Sequence, residues 1–153
     1  MLNFSYCNPT RIIFGEGQIA QLRKQVPQTA TVLMLYGGGS IKSNGVYDQV
    51  KAALEGNRVL EFGGIEPNPS YETLMGAVEM ARAEGVDYLL AVGGGSVIDG
   101  SKFVAAAVPF AGEPWDILAK RATIESALPL GCVLTLPATG SESNNGAVIT
   151  RKA

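Results

Sequence analysis

The chain contains no histidine. That absence removes the commonest transition-metal ligand and the usual general base at neutral pH, and with them every Ser-His-Asp or Cys-His scheme of nucleophilic catalysis. Cysteine is almost as scarce. Cys7 and Cys132 stand far apart with no C-x-x-C spacing, so two reduced thiols are expected in place of a disulfide or a metal pair. Charged residues make up only 17% of the chain, with a formal net charge of −2 and no long basic run. A nucleic-acid surface needs clustered Lys and Arg and is therefore excluded. No apolar run approaches the ~20 residues of a membrane span, and residues 1–11 lack the basic start and long apolar centre of a secretory signal. A cytoplasmic protein with neither a nucleic-acid nor a membrane partner is expected.

What the chain holds in quantity is apolar. Hydrophobic residues reach 46% of 153, enough to bury the core of one ordinary domain and too many for a disordered chain. The most informative stretch is Asp87–Lys102, DYLLAVGGGSVIDGSK. An apolar run, Tyr88–Val92, breaks at Gly93-Gly94-Gly95, and Ser96 opens a segment with helical spacing, so the stretch predicts buried strand, tight turn and helix N-terminus. Such a turn suits an anion, because glycine lets backbone approach a ligand and the first helical N–H groups carry partial positive charge. Ser96 is also a suitable N-cap. The strict G-x-G-x-x-G pattern is not met, since Ile98 stands at its third glycine. A Walker pattern is nearly met by Gly95 and Gly100, but Ser101-Lys102 reverses the required Lys-Ser order and puts Lys102 inside the helix. The bland alternative is a glycine-rich strand-to-helix connection that binds nothing.

Taken in order, apolar runs and helical stripes alternate. A short strand is expected at Arg11–Phe14, a modest helical stripe at Ile19, Leu22, Gln25 and Val26, and a strand at Thr31–Tyr36 that runs into Gly37-Gly38-Gly39-Ser40. An amphipathic helix over Val46–Leu54 is stopped at Gly56, and Arg58–Phe62 is the next strand. Pro67 and Pro69 stiffen the loop Gly63–Ser70. Ser70 then caps a helix with Thr73 at its third position and Leu74, Ala77, Val78 and Ala81 as its buried stripe, ending at Gly85. A helix over Ser96–Val108, a turn or short helix around Pro114-Trp115-Asp116, a strand at Leu130–Leu136 and a last short strand at Ala147–Thr150 complete the reading.

Strands alternating with helices call for an α/β fold: a doubly wound, mostly parallel sheet with helices on both faces. The unbroken apolar runs 31–36, 88–92 and 132–136 agree, because parallel strands are covered on both sides. Ligands of such sheets bind at the carboxyl ends of the strands. Both GGGS loops and Pro137-Ala138-Thr139-Gly140-Ser141 would sit there. Other residues keep ordinary roles: Asp99 reads as a cleft residue or as a first-turn acid favoured by the helix dipole. Asn68 reads as a turn residue, Trp115 as a lid over the core edge, Cys132 as core packing, and Lys42, Arg58 and Lys102 as solvated charges.

The run GGGSVIDGSK, the Pro67-Asn68-Pro69 loop and LPATGSES at Leu136–Ser143, in that order, resemble the dinucleotide-binding domain of iron-containing alcohol dehydrogenases. The YGGGS after the second expected strand is most similar to the subgroup of butanol dehydrogenases and NADPH-dependent aldehyde reductases. The resemblance implies a Rossmann-like domain over residues 1–153 in which Gly93, Gly94, Gly95 and Ser96 bind the pyrophosphate of NADP(H). It implies that Asn68 and Asp99 are cofactor-cleft residues and that Thr135, Thr139 and Ser141 lie along the nicotinamide and its ribose. The family's loop is often a longer Thr-Thr-Ala-Gly-Thr run than the one found here. The resemblance also implies a helical second domain whose Asp and three His hold iron or zinc. A chain without histidine carries none of that, so it is expected to be a piece of a longer enzyme acting on an alcohol or aldehyde, inactive alone. The face that would dock that second domain is expected to be uncovered, favouring homo-oligomers. The loop Gly37, Gly38, Gly39, Ser40 offers glycine where an NAD-preferring domain places Asp or Glu, with Ser40 as donor and Lys42 as a nearby cation, which points to NADP(H). A non-catalytic nucleotide-binding module remains the alternative, and an NTP hydrolase is the weakest.

Overall fold

Unbroken apolar sequence can be buried only where both faces of a strand are covered, and the two runs that best meet that description form the centre of the sheet. In the computed structural model, which describes residues 1–153, a 3-10 turn at Gln18–Gln21 leads into one helical turn, α1 (Leu22–Gln25). Then follow β1 (Thr31–Tyr36), α2 (Ser40–Ser43), α3 (Val46–Ala53), β2 (Arg58–Phe62), α4 (Tyr71–Ala83), β3 (Tyr88–Gly94), α5 (Gly95–Ala107), α6 (Asp116–Ala119) and β4 (Leu130–Leu136). A second 3-10 turn covers Ser141–Ser143. All strand pairings are parallel, in the order β2-β1-β3-β4.

Alternation along the central strands divides the core in two. Val32, Met34, Leu90 and Val92 pack with Val26, Ile41, Val50 and Leu54 on one face, while Leu33, Leu35, Leu89 and Ala91 pack with Leu74, Ala77, Val78, Ile98 and Val104 of α4 and α5 on the other. Helices therefore cover both faces, as a doubly wound sheet requires. The chain leaves β1 toward β2 in one direction and returns to β3 and β4 in the other. That reversal opens a crevice beyond the carboxyl ends of β1 and β3, the place where such sheets take ligands.

Local signals explain the sharpest boundaries. Ser70 Oγ accepts a hydrogen bond from the Thr73 N–H at 3.3 Å and caps α4, whose Leu74, Ala77, Val78 and Ala81 are buried. At its other end Gly85 takes a left-handed φ of 64° and the Val86 N–H reaches back to Ala81 O at 3.0 Å, closing a Schellman turn.

Several expectations are corrected. Arg11–Phe14 is no strand: it pairs with nothing, and Ile12 and Phe14 are 72% and 95% exposed. Ala147–Thr150 makes only a single parallel bridge, Thr150 with Ser70. The stripe at residues 19–26 is cut to two short turns, because Val26 precedes Pro27 and is extended, ψ 127°. The helix after β3 starts one residue early, with Gly94 in the capping position and no side-chain cap, so Ser96 is not the N-cap. β4 is a half-buried edge strand whose last residues, Thr135 and Leu136, are exposed, so the run 132–136 is not covered on both sides. No helix is long and apolar enough to cross a membrane.

Candidate functional site

Four loops meet at the carboxyl edge of the sheet. The loop after β2 is laced to the loop after β1, the Gly64 N–H donating to Gly37 O at 2.9 Å and the Ile65 N–H to Tyr36 O at 3.2 Å. A methyl group on Gly37 would stand 3.2 Å from Ile65 O, tighter than usual, so glycine favours this close approach of the two loops. Gly39 is left-handed, φ 98°, and turns the chain into α2. Gly38 differs from both: a methyl group there would meet nothing within 4 Å, and its backbone is unconstrained. Ser40 is exposed at the start of α2. Lys42 is exposed, as expected of a solvated charge, and its Nζ lies 5.3 Å from the ring centroids of both Tyr36 and Tyr47. Tyr47 donates to Glu61 Oε2 at 2.8 Å, and that bond, then burial, raises its pKa.

The loop after β2 brings Asn68 to the start of α5, where its N–H donates to Ser96 Oγ at 3.4 Å. Asn68 has φ 53°, a left-handed conformation that Asn tolerates better than most residues. Behind it, burial pushes the Glu66 carboxyl up, but bonds from Ser70, its own backbone and Thr73 outweigh this and hold it below the usual range.

The loop after β4 arrives from the opposite side. The register of β3 and β4 shifts so that Leu134 faces Gly93 and Leu136 faces Gly94, leaving Thr135 as the extra, exposed residue of a bulge. A methyl group on Gly95 would touch Thr139 Oγ1 and Ser141 Oγ, each 3.4 Å away, and those two hydroxyls are 3.1 Å apart. The loop is tied down by α5. Asp99 Oδ2 accepts from the Val148 N–H at 3.1 Å, and Lys102 Nζ donates to Ser141 O at 2.8 Å and Asn144 Oδ1 at 2.9 Å. Lys102 was expected to be a solvated charge and is instead only 16% exposed. The opposite charges of Asp99 and Lys102, three residues apart on one helix, were the signal available in the sequence. Burial, then the nearby Glu142, push the Cys132 thiol up to about 11, so it stays a neutral thiol.

The structure thus joins Gly93, Gly94, Gly95, Ser96, Asn68, Thr139 and Ser141 at one helix start, with Gly37, Gly38, Gly39 and Ser40 along the same edge. Thr135 and Asp99 flank them. Two surface clefts of about 240 and 220 Å³, one lined by Gly17, Arg23 and Gln49 and the other by Pro109, Gly112 and Glu125, lie away from this edge. Apart from it stands a second cluster, in which Trp115 packs edge-on to Tyr71 at 5.2 Å and the Arg151 guanidinium lies over both rings, giving Arg151 a role its sequence position did not suggest.

The family model for iron-containing alcohol dehydrogenase matches residues 9–153. The chain belongs to the iron-containing alcohol dehydrogenase family. It is 63% identical over 155 aligned residues to the NADPH-dependent aldehyde reductase YqhD of Escherichia coli, covering 99% of this chain and 40% of that protein. A probable NADH-dependent butanol dehydrogenase 2 of Bacillus subtilis is 54% identical, with 98% and 39% covered. The crystal structure of E. coli K-12 YqhD superposes with a TM-score of 0.94 at 62% identity, covering 97% of this chain and 39% of that one. The chain therefore spans about 40% of the length of these relatives. The iron of the family's name has no donor set here, for nowhere do three His, Cys, Asp or Glu side chains converge.

Proposed function

We propose that this chain is the NADP(H)-binding domain of a metal-dependent alcohol dehydrogenase or aldehyde reductase of the cytoplasm, the metal-binding helical domain lying in the remaining length of its relatives. The observation that carries the reading is the meeting of sequence-distant loops at Gly95, where the Thr139 and Ser141 hydroxyls come within van der Waals contact, 3.4 Å, of a Cβ placed on the backbone. A backbone kept bare at a helix start, with hydroxyls on one side and Asn68 on the other, fits a dinucleotide pyrophosphate. Gly93, Gly94, Gly95 and Ser96 would hold it. Asn68 and Asp99 would border the cleft, and Thr135, Thr139 and Ser141 would lie along the nicotinamide ribose. When bound, the cofactor supplies or accepts the hydride exchanged with an alcohol or aldehyde; this chain's residues bind and orient it.

The choice of NADP(H) rests on the loop after β1. The relatives' names divide between NADPH and NADH, so they do not decide it. Gly38 leaves room, Ser40 is exposed, and the ammonium of Lys42, two residues on, lies over two aromatic rings. No carboxylate stands in the loop to accept a ribose hydroxyl or repel a 2′-phosphate. Calorimetric titration of the chain with NADP and NAD separately tests this. Tighter binding of NADP is expected. Equal or tighter binding of NAD overturns the cofactor choice, and binding of neither counts against the dinucleotide reading.

The second reading is a nucleotide-binding module without catalysis, which the same helix-start geometry would serve. Nucleotide-triphosphate hydrolysis is disfavoured, because the Lys102 ammonium is turned onto Ser141 and Asn144. Homo-oligomers through exposed apolar surface are part of the same proposal.

A further inference from the structure

The segment that carries Thr139 and Ser141 makes few backbone hydrogen bonds of its own. Between Pro137 and Ala147 the one bond outside the regular elements is Ser143 N–H to Gly140 O, at 2.9 Å. Asn144 folds it locally, its amide donating to Gly140 O and its Oδ1 accepting from the Gly146 N–H, both at 3.0 Å. Yet Ser141 is only 5% exposed. What fixes this segment against α5 is a pair of side chains on one helical turn. The Lys102 ammonium donates to Ser141 O at 2.8 Å and Asn144 Oδ1 at 2.9 Å, and lies 3.5 Å from Asp99 Oδ1. Asn144 O lies 3.4 Å away as well, so four oxygens surround an ammonium that has three N–H donors to share among them. The other oxygen of Asp99 holds the Val148 N–H at 3.1 Å.

The geometry points to Lys102 as a positioning residue of the cofactor groove, with Asp99 as its brace: it sets where the Thr139 and Ser141 hydroxyls stand against Gly95. The inference rests on the dinucleotide reading above and deepens it. Without the ammonium, the Ser141 and Asn144 oxygens lose a charge-assisted donor, and the binding of cofactor must then order the loop. Arginine keeps the charge but presents its donors in a planar fork, which does not match acceptors gathered around one nitrogen. The effect should fall on the nicotinamide side of the groove. It therefore leaves the preference set at Gly37–Ser40 alone.

The test compares the unaltered chain with Lys102→Met and Lys102→Arg by amide hydrogen exchange without ligand and by NADPH and NADH titration. In Lys102→Met, exchange at residues 141–148 should speed up while β1 and β3 stay protected. NADPH and NADH should both bind about tenfold or more weakly, as loss of a charged hydrogen bond implies, with their ratio unchanged. Lys102→Arg should fall between. Unchanged exchange at residues 141–148 overturns the inference, as does faster exchange with unaltered affinity. Loss of protection in β1 and β3 also overturns it, since Lys102 would then support the fold as a whole. If the unaltered chain binds neither cofactor, the dinucleotide reading fails by itself, and the exchange comparison alone decides whether Lys102 holds the loop.

Discussion

A methyl group on Gly93 would lie 2.9 Å from Val97 Cγ2 and 3.2 Å from its Cβ, so the end of β3 and the first turn of α5 are closer than a side chain at residue 93 permits. Gly93→Ala should destabilise the fold by roughly 1–3 kcal/mol, the usual range for overpacking. Val97→Ala in the same chain should recover part of that loss. Urea denaturation of the two single variants and the double variant measures the coupling, and strictly additive effects would show that the crowding is elsewhere.

Gly38→Asp should reverse the preference from NADP to NAD. The site has space for the side chain, and the carboxylate would accept from a ribose hydroxyl while repelling a 2′-phosphate. Gly39→Asp is the matched control, because φ 98° makes any side chain there strained. It should lower stability by about 1–2 kcal/mol. Calorimetry reads the first variant and chemical denaturation the second; a Gly38→Asp chain that still prefers NADP would refute the assignment of this loop.

Alkaline pH should unfold the protein through its tyrosines. Burial, then the hydrogen bond to Glu113, push the Tyr71 hydroxyl from its ordinary 10 up to about 12, and burial also raises Tyr88. The folded state holds these protons more tightly than the unfolded state. Their contribution is therefore constant below pH 10 and shrinks as pH rises from 10 toward 12. Stability followed by urea titration across that window should fall steeply in the unaltered chain and less steeply in Tyr71→Phe. Parallel slopes would show that Tyr71 is not the group responsible.

The chain alone should not turn over substrate. With butanol and NADP, or butyraldehyde and NADPH, and iron or zinc added, the rate should stay at the no-protein level, because the donors that would hold a metal beside the nicotinamide are not present. Any metal-dependent rate above that level contradicts this.

Self-association should accompany that inactivity. Phe4, Tyr6, Ile12 and Phe14 are 87%, 77%, 72% and 95% exposed, leaving large apolar side chains of residues 1–14 open to a second copy. Sedimentation should show dimers or larger species, and deleting residues 1–14 should reduce them; a strict monomer at all concentrations argues against it.

The parts of the fold legible in the sequence are those written locally. The β2 boundaries and the Ser70 cap with its stripe stand where spacing and capping chemistry put them, since both signals lie within a few residues of one another. Arg11–Phe14 has strand composition but no neighbour to pair with, and pairing is not a local property. Lys102 shows both cases: Asp99 is local, but the Ser141 and Asn144 oxygens that take its hydrogen bonds lie on a loop far along the chain. The bulge that isolates Thr135 is likewise a matter of register between two strands, which the apolar pattern of either one does not reveal.

The parallel order β2-β1-β3-β4 also bears on how the molecule is made. Each parallel pairing brings together residues far apart in the chain, as Val32 with Tyr88, so pairing must await loop closure. Since Thr139 and Ser141 follow β4, the groove at Gly95 is assembled only after the last strand has docked. A chain emerging from the ribosome would have its β1 and β3 glycine turns well before it had a complete binding edge.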